Sequence, residues 1–113
     1  MNIEHIDTEM IEELKDVMEG EFTVLMITYI KNSKAILDGL HQLLEDENFD
    51  ALSKMAHSFK GSCGNIGALP LAELCRLLEV AGANCDAENA QSLLKKIVIE
   101  FEEVSKLISH YTH

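Results

Sequence analysis

The residues able to do chemistry are concentrated in one run, Ala56-His57-Ser58-Phe59-Lys60-Gly61-Ser62-Cys63-Gly64-Asn65-Ile66-Gly67-Ala68. At about 100° per residue the run and the turn before it divide into two helical faces. Leu52, Met55, Ala56, Phe59, Cys63 and Ile66 share one face; Ser53, His57, Lys60, Gly61 and Gly64 share the other. His57 is therefore expected to face solvent while its neighbours bury the helix. A neutral imidazole is a competent nucleophile near neutral pH, because the unperturbed pKa of histidine is about 6.5. Its second nitrogen needs a hydrogen-bond partner that fixes the tautomer. Lys60, three residues on, is its neighbour on the helix surface and can neutralise a phosphoryl group as a point charge. Each glycine inside a helix costs about 1 kcal/mol relative to alanine. A pair of them, Gly61 and Gly64, on the face of an exposed histidine removes bulk, so that another protein's surface can approach the ring. Phosphoryl transfer requires mainly such positioning and charge neutralisation. A helical histidine alone is an ordinary surface residue; Lys60 and the glycine pair set this one apart.

The elements that must position these residues read as helices throughout. Met10, Ile11, Leu14, Val17 and Met18 form a first amphipathic segment with Asp7 or Thr8 as N-cap, interrupted by Gly20. Apolar positions from Phe22 to Leu44 mark a long helix that ends near Glu45 to Glu47. Asn48 or Asp50 caps the helix that carries His57, and Asn65 and Gly67 are its stop signal. Pro70 fits the first turn of the next helix, whose apolar positions are Leu71, Leu74, Cys75, Leu77, Leu78 and Ala81, with Gly82 at or near its end. Asn84 or Asp86 caps a last helix running to Tyr111. No segment alternates with period two. The expected fold is all-α: an antiparallel up-down four-helix bundle with a short extra N-terminal helix, residues 1–113 forming one domain.

Composition narrows the functions. The 113 residues carry a net charge of −11. That argues against nucleic acid and anionic membranes as partners, both of which need a positive footprint. No stretch approaches the roughly 20 apolar residues that cross a bilayer. The acidic N-terminus lacks the features of a signal peptide, so a cytoplasmic location is expected. Cys63, Cys75 and Cys85 match no zinc spacing and read as buried small apolar residues. Met10, Met18, Met26 and Met55 read as core. His5 and His41 have no partner at metal-binding spacing, and His110 with His113 reads as a surface pair, so no metal site is expected. Glu45, Asp46 and Glu47 read as a solvated loop.

The run AHSFKGSCGNIGALPLAELCRLLE, Ala56 to Glu79, resembles the histidine-containing phosphotransfer (HPt) domain family, with its AH-x-x-KGS core, its glycine-alanine turn and its L-x-x-L-x-x-x-LE segment. Ile11, Leu14, Phe22, Tyr29, Leu37, Leu40, Phe49 and Leu52 are similar to that family's leading helices. The resemblance implies that His57 is the phosphorylated histidine and Lys60 the lysine beside the phosphoryl group. It implies that Gly61 permits docking of a receiver domain, and that Glu79 hydrogen-bonds the inner nitrogen of His57. Gly64, Ser58 and Arg76 are further candidates for the docking surface. Tyr29 departs from the family's usual phenylalanine, which touches packing more than chemistry. The implied function is a monomeric phosphocarrier of a two-component phosphorelay, with response-regulator receiver domains and a hybrid sensor histidine kinase as candidate partners. It would need no cofactor of its own, Mg²⁺ being expected in the receiver.

The sequence has no glycine-rich phosphate loop and no ATP-binding kinase signature, so kinase activity of its own is not expected. A kinase dimerisation helix usually follows its histidine directly with an acidic residue; Ser58 follows His57 here, and the next proline is Pro70. A pure interaction module of the same ancestry is a rival reading, against which the intact His57 and Lys60 speak. A metal-binding bundle needs inward carboxylates with a Glu-x-x-His motif, which neither the Glu4-His5 nor the Ser53-to-His57 context supplies. The start at Met1 favours a stand-alone protein.

Overall fold

A computed structural model describes residues 5–112. Five helices follow in chain order: α1 (Thr8–Met18), α2 (Glu21–Glu45), α3 (Phe49–Asn65), α4 (Leu69–Ala83) and α5 (Ala87–Tyr111). The last four pack in a closed ring, α2 on α3, α3 on α4, α4 on α5 and α5 back on α2, while α1 lies against α2. This is the antiparallel four-helix bundle with a short N-terminal helix. Among the described residues no strand occurs.

The antiparallel order follows from three loops of three residues each, 46–48, 66–68 and 84–86. All three close in the same way. The middle residue takes a left-handed conformation: Glu47 (φ 53°), Gly67 (φ 82°) and Cys85 (φ 53°). The third residue's N–H returns to the carbonyl five residues back, in Asn48 to Leu43, Ala68 to Cys63 and Asp86 to Ala81 (2.9, 3.0 and 2.9 Å). This doubly bonded C-terminal cap satisfies carbonyls that the helix end would leave unpaired. Two of the third residues then start the next helix: Asn48 accepts from the Ala51 N–H and Asp86 from the Asn89 N–H. The remaining loop, 66–68, is followed by Pro70 in the first turn of α4 instead. One loop residue thus ends one helix and begins another.

The core is the single cluster that the apolar periodicity marks, with Phe22, Met26, Leu40, Leu52, Phe59, Leu71, Leu78, Leu94, Ile97 and Val104 fully buried. Burying a side chain such as Phe59 or Leu52 stabilises the fold by about 1.5–3 kcal/mol. The Tyr29 hydroxyl is inside the bundle, 3.1 Å from Cys63 Sγ. Burial pushes its phenol up, and the hydrogen bond with Cys63, reinforced by burial, pushes the Cys75 thiol up.

Several expectations are corrected. Cys85 is exposed, because it sits at the turn between α4 and α5 rather than on a helix face. Met10 and Leu77 are also exposed, at the margins of their stripes. Gly20 stands at the break between α1 and α2, as the sequence indicates, and the residue with positive φ there is its neighbour Glu19 (φ 50°). Gly82 stands one residue before the end of α4, as the sequence indicates, and is in addition buried where α4 crosses α3. The Glu4 and Met1 readings, and His113 of the C-terminal pair, lie outside the described residues.

Candidate functional site

Asn48 caps α3 and its apolar face, Leu52, Ala56, Phe59 and Cys63, is buried against the bundle. Helical geometry then requires His57 to point outward, and its side chain is 64% exposed. Gly61 is exposed and Gly64 half-buried, and a methyl group built at either would meet nothing within 4 Å. The two glycines therefore serve no internal packing contact. They leave bare helix beside the imidazole.

Glu79 comes from α4, on the side facing α3. Its Oε2 lies 3.1 Å from His57 Nδ1 and its Oε1 lies 3.2 Å from Lys60 Nζ. One carboxylate therefore joins the histidine and the lysine. Partial desolvation pushes the Glu79 carboxyl up, but the hydrogen bonds from His57 and Lys60 outweigh it and hold the group below its ordinary value. An ionised carboxylate can only accept, so the contact requires the proton on Nδ1. Nε2 is then left with its lone pair, pointing away from Glu79 towards solvent. Lys60 has three N–H donors, of which Glu79 occupies one.

The remaining candidates divide. Ser58 lines an open hollow of about 460 Å³ with Ser53, Lys54, His57 and Glu79. It also borders the groove between α2 and α3, where Leu25, Ile36 and Ile66 form an apolar floor. Arg76 points elsewhere: its guanidinium makes two bonds to Glu73, one turn back on α4, at 2.9 and 2.7 Å. Its hydrogen bonds go to Glu73 rather than to the three site residues, and Glu79 acts on it only as a nearby negative charge. Ser53, grouped with the solvent face by the helical wheel, instead donates from Oγ to the Glu79 main-chain oxygen at 2.8 Å. Its position one turn before His57 was visible in the sequence; its partner on another helix was not.

Two other histidines, His5 and His41, are engaged separately. His5 Nδ1 lies 2.8 Å from Glu100 Oε2, and His41 Nδ1 meets the Leu37 carbonyl at 2.8 Å. Among the described residues, no three histidine, cysteine or acidic side chains converge as metal ligands. No described helix is long and apolar enough to cross a membrane.

Fold and site together define a class: a closed helical bundle that presents one imidazole to solvent and fixes it with a carboxylate from the next helix. The model of the Hpt domain family matches residues 24–107, and the chain belongs to that family. It is 30% identical over 107 residues to histidine-containing phosphotransfer protein 4 of Arabidopsis thaliana, covering 89% of this chain and 82% of the relative. The crystal structure of histidine-containing phosphotransfer protein B (HptB) from Pseudomonas aeruginosa PAO1 is similar over 98% of this chain and 96% of its own, with 33% identity and a TM-score of 0.94. A rice chain described as a histidine-containing phosphotransfer protein shares the fold at a TM-score of 0.83, with 19% identity over 91% of this chain and 76% of its own. Members of the family take part in phosphotransfer within two-component phosphorelays as carriers, with receiver domains and kinases as their counterparts.

Proposed function

We propose that His57 accepts a phosphoryl group from a receiver-domain aspartate and passes it to a second receiver. The observation that carries this reading is the Glu79 carboxylate bound to His57 Nδ1, which leaves Nε2 exposed as the nucleophile. In the forward step the Nε2 lone pair attacks phosphorus of the aspartyl phosphate. The N–P bond forms, the P–O bond to the aspartyl group breaks, and the aspartate departs as carboxylate. The imidazole, still protonated at Nδ1, gains positive charge, which Glu79 faces directly. The two N–H donors of Lys60 not used by Glu79 reach the phosphoryl oxygens. The receiver contributes the aspartate, its acidic pocket and Mg²⁺, while this chain acts as a monomeric carrier.

The docking surface is the bare strip at Gly61 and Gly64, with Ser58 at its edge and the apolar groove beyond. Arg76 stands at the outer margin. The reading is tested by mixing the protein with a panel of phosphorylated receivers and following acid-labile phosphate, beside His57→Gln. Wild type is expected to become labelled; His57→Gln is expected to fold and stay unlabelled. Equal labelling of the variant would end the proposal. Binding of a receiver without labelling of wild type would favour a pure interaction module.

A further inference from the structure

We infer that Ser53 is a positioning residue for the His57 imidazole, acting through Glu79, an inference that rests on the reading of His57 given above. Three α3 side chains at spacing i, i+4, i+7 converge on this one α4 residue. His57 and Lys60 meet its carboxylate, at 3.1 and 3.2 Å. Ser53 meets its backbone, Oγ donating to the Glu79 carbonyl at 2.8 Å. That bond does something the other two cannot: it fixes where the Glu79 main chain stands on α3, while the carboxylate hangs from a side chain with several rotatable bonds.

The approach is close enough to be selective. A methyl group on Gly82, one turn after Glu79 on the same side of α4, would lie 3.1 Å from Ser53 N and 3.2 Å from Phe49 O and Ser53 Cα. These are backbone atoms of α3, which cannot swing aside as the end of a long side chain can. The missing side chain at 82 and the hydroxyl at 53 therefore close the same contact from opposite helices. A helical serine also has a local alternative, bonding the carbonyl one turn back on its own helix. Ser53 instead spans to α4.

Without the hydroxyl, α4 loses its fixed height against α3 at position 79, and the carboxylate no longer holds the Nδ1 proton in place. The ring then samples the tautomer protonated at Nε2, which has no lone pair to attack phosphorus. The test is ¹⁵N NMR of the His57 imidazole, which reads the tautomer directly, together with transfer rates from a phosphorylated receiver. The proteins are wild type, Ser53→Ala, Ser53→Thr, Glu79→Ala and the double Ser53→Ala/Glu79→Ala variant. Wild type is expected to show the Nδ1–H tautomer. Ser53→Ala should lose that preference and transfer about tenfold more slowly, as misplacement of a reacting group by a fraction of an ångström does. Ser53→Thr, which keeps the hydroxyl, should restore both. Once Glu79 is alanine, removing the Ser53 hydroxyl should change neither. If alanine loosens the bundle, Ser53→Cys keeps the volume with a weaker donor and should show the same tautomer loss. A wild-type tautomer and rate in Ser53→Ala would overturn the inference. So would an equal loss of rate with and without Glu79. The tautomer readout needs no phosphoryl transfer: a Ser53-dependent tautomer in a chain that no receiver labels would support positioning while ending the transfer reading.

Discussion

At the scale of single residues, Glu79 carries the most consequence, because it binds the two groups the chemistry requires. Its carboxyl lies below its ordinary value, held there by hydrogen bonds from His57 and Lys60 that outweigh partial desolvation. A carboxylate whose folded value is depressed stabilises the fold fully above the unfolded value, about 4.3 for glutamate, and loses that contribution as pH falls through the folded value. Glu79→Gln retains the shape and removes the charge. Urea midpoints should therefore favour wild type over Glu79→Gln at pH 7, and the two should converge towards pH 3. A gap that persists undiminished at pH 3 would mean that the charge is not what stabilises this contact. His57, Lys60 and the glycines were legible in the sequence because helical periodicity alone puts them on one face. Glu79 was reached only by resemblance, since no spacing rule joins residue 57 to residue 79. Ser53 and the engagement of Arg76 with Glu73 were not reached, because each depends on which rotamer finds which partner.

At the scale of elements, the same residue type has opposite meanings in adjacent helices. Gly61 in α3 has open space where a side chain would go, whereas Gly82 in α4 has the α3 backbone there. Gly61→Ala should therefore stabilise the protein by up to about 1 kcal/mol, the difference in helix propensity. The same change should slow transfer to a receiver, because the added methyl stands on the docking strip. Gly82→Ala should destabilise by about 1–3 kcal/mol, the usual cost of overpacking, as α4 is forced from α3. Thermal melts of both variants decide the matter: a loss of stability in Gly61→Ala would show that its openness is not what the geometry says. The sequence placed Gly61 on the exposed face beside His57 but gave no sign of the close approach at Gly82, since a glycine near a helix end reads as a stop signal and Gly82 lies two residues from Asn84. The caps at Asp7, Asn48 and Asp86 were legible, because their side chains satisfy amides three residues ahead in the same chain. Left-handed Glu47 and Cys85 were not, since neither residue type signals that conformation.

At the scale of the whole molecule, charge sets the balance. The chain holds 20 acidic and 9 basic residues. Three of the basic residues, Lys54, Arg76 and Lys106, are committed to exposed partners on their own helices, Asp50, Glu73 and Glu103. Exposed pairs of this kind contribute about 0.2–1 kcal/mol each at best and are screened by salt. Opposing them is the mutual repulsion of the unpaired carboxylates, spread over a body 42 × 26 × 19 Å. At an ionic strength of about 0.01 M the screening length is roughly 30 Å, so such charges act across the whole bundle; at 0.15 M it is about 8 Å and they do not. Salt therefore weakens a few short attractions and many long repulsions, and the repulsions are the more numerous by the net charge of −11. The melting temperature should rise as sodium chloride is raised from about 0.01 to 0.15 M. A melting temperature that falls with salt would mean that the local pairs outweigh the long-range field, and that the surplus of carboxylates is arranged too sparsely around the bundle to act on the fold.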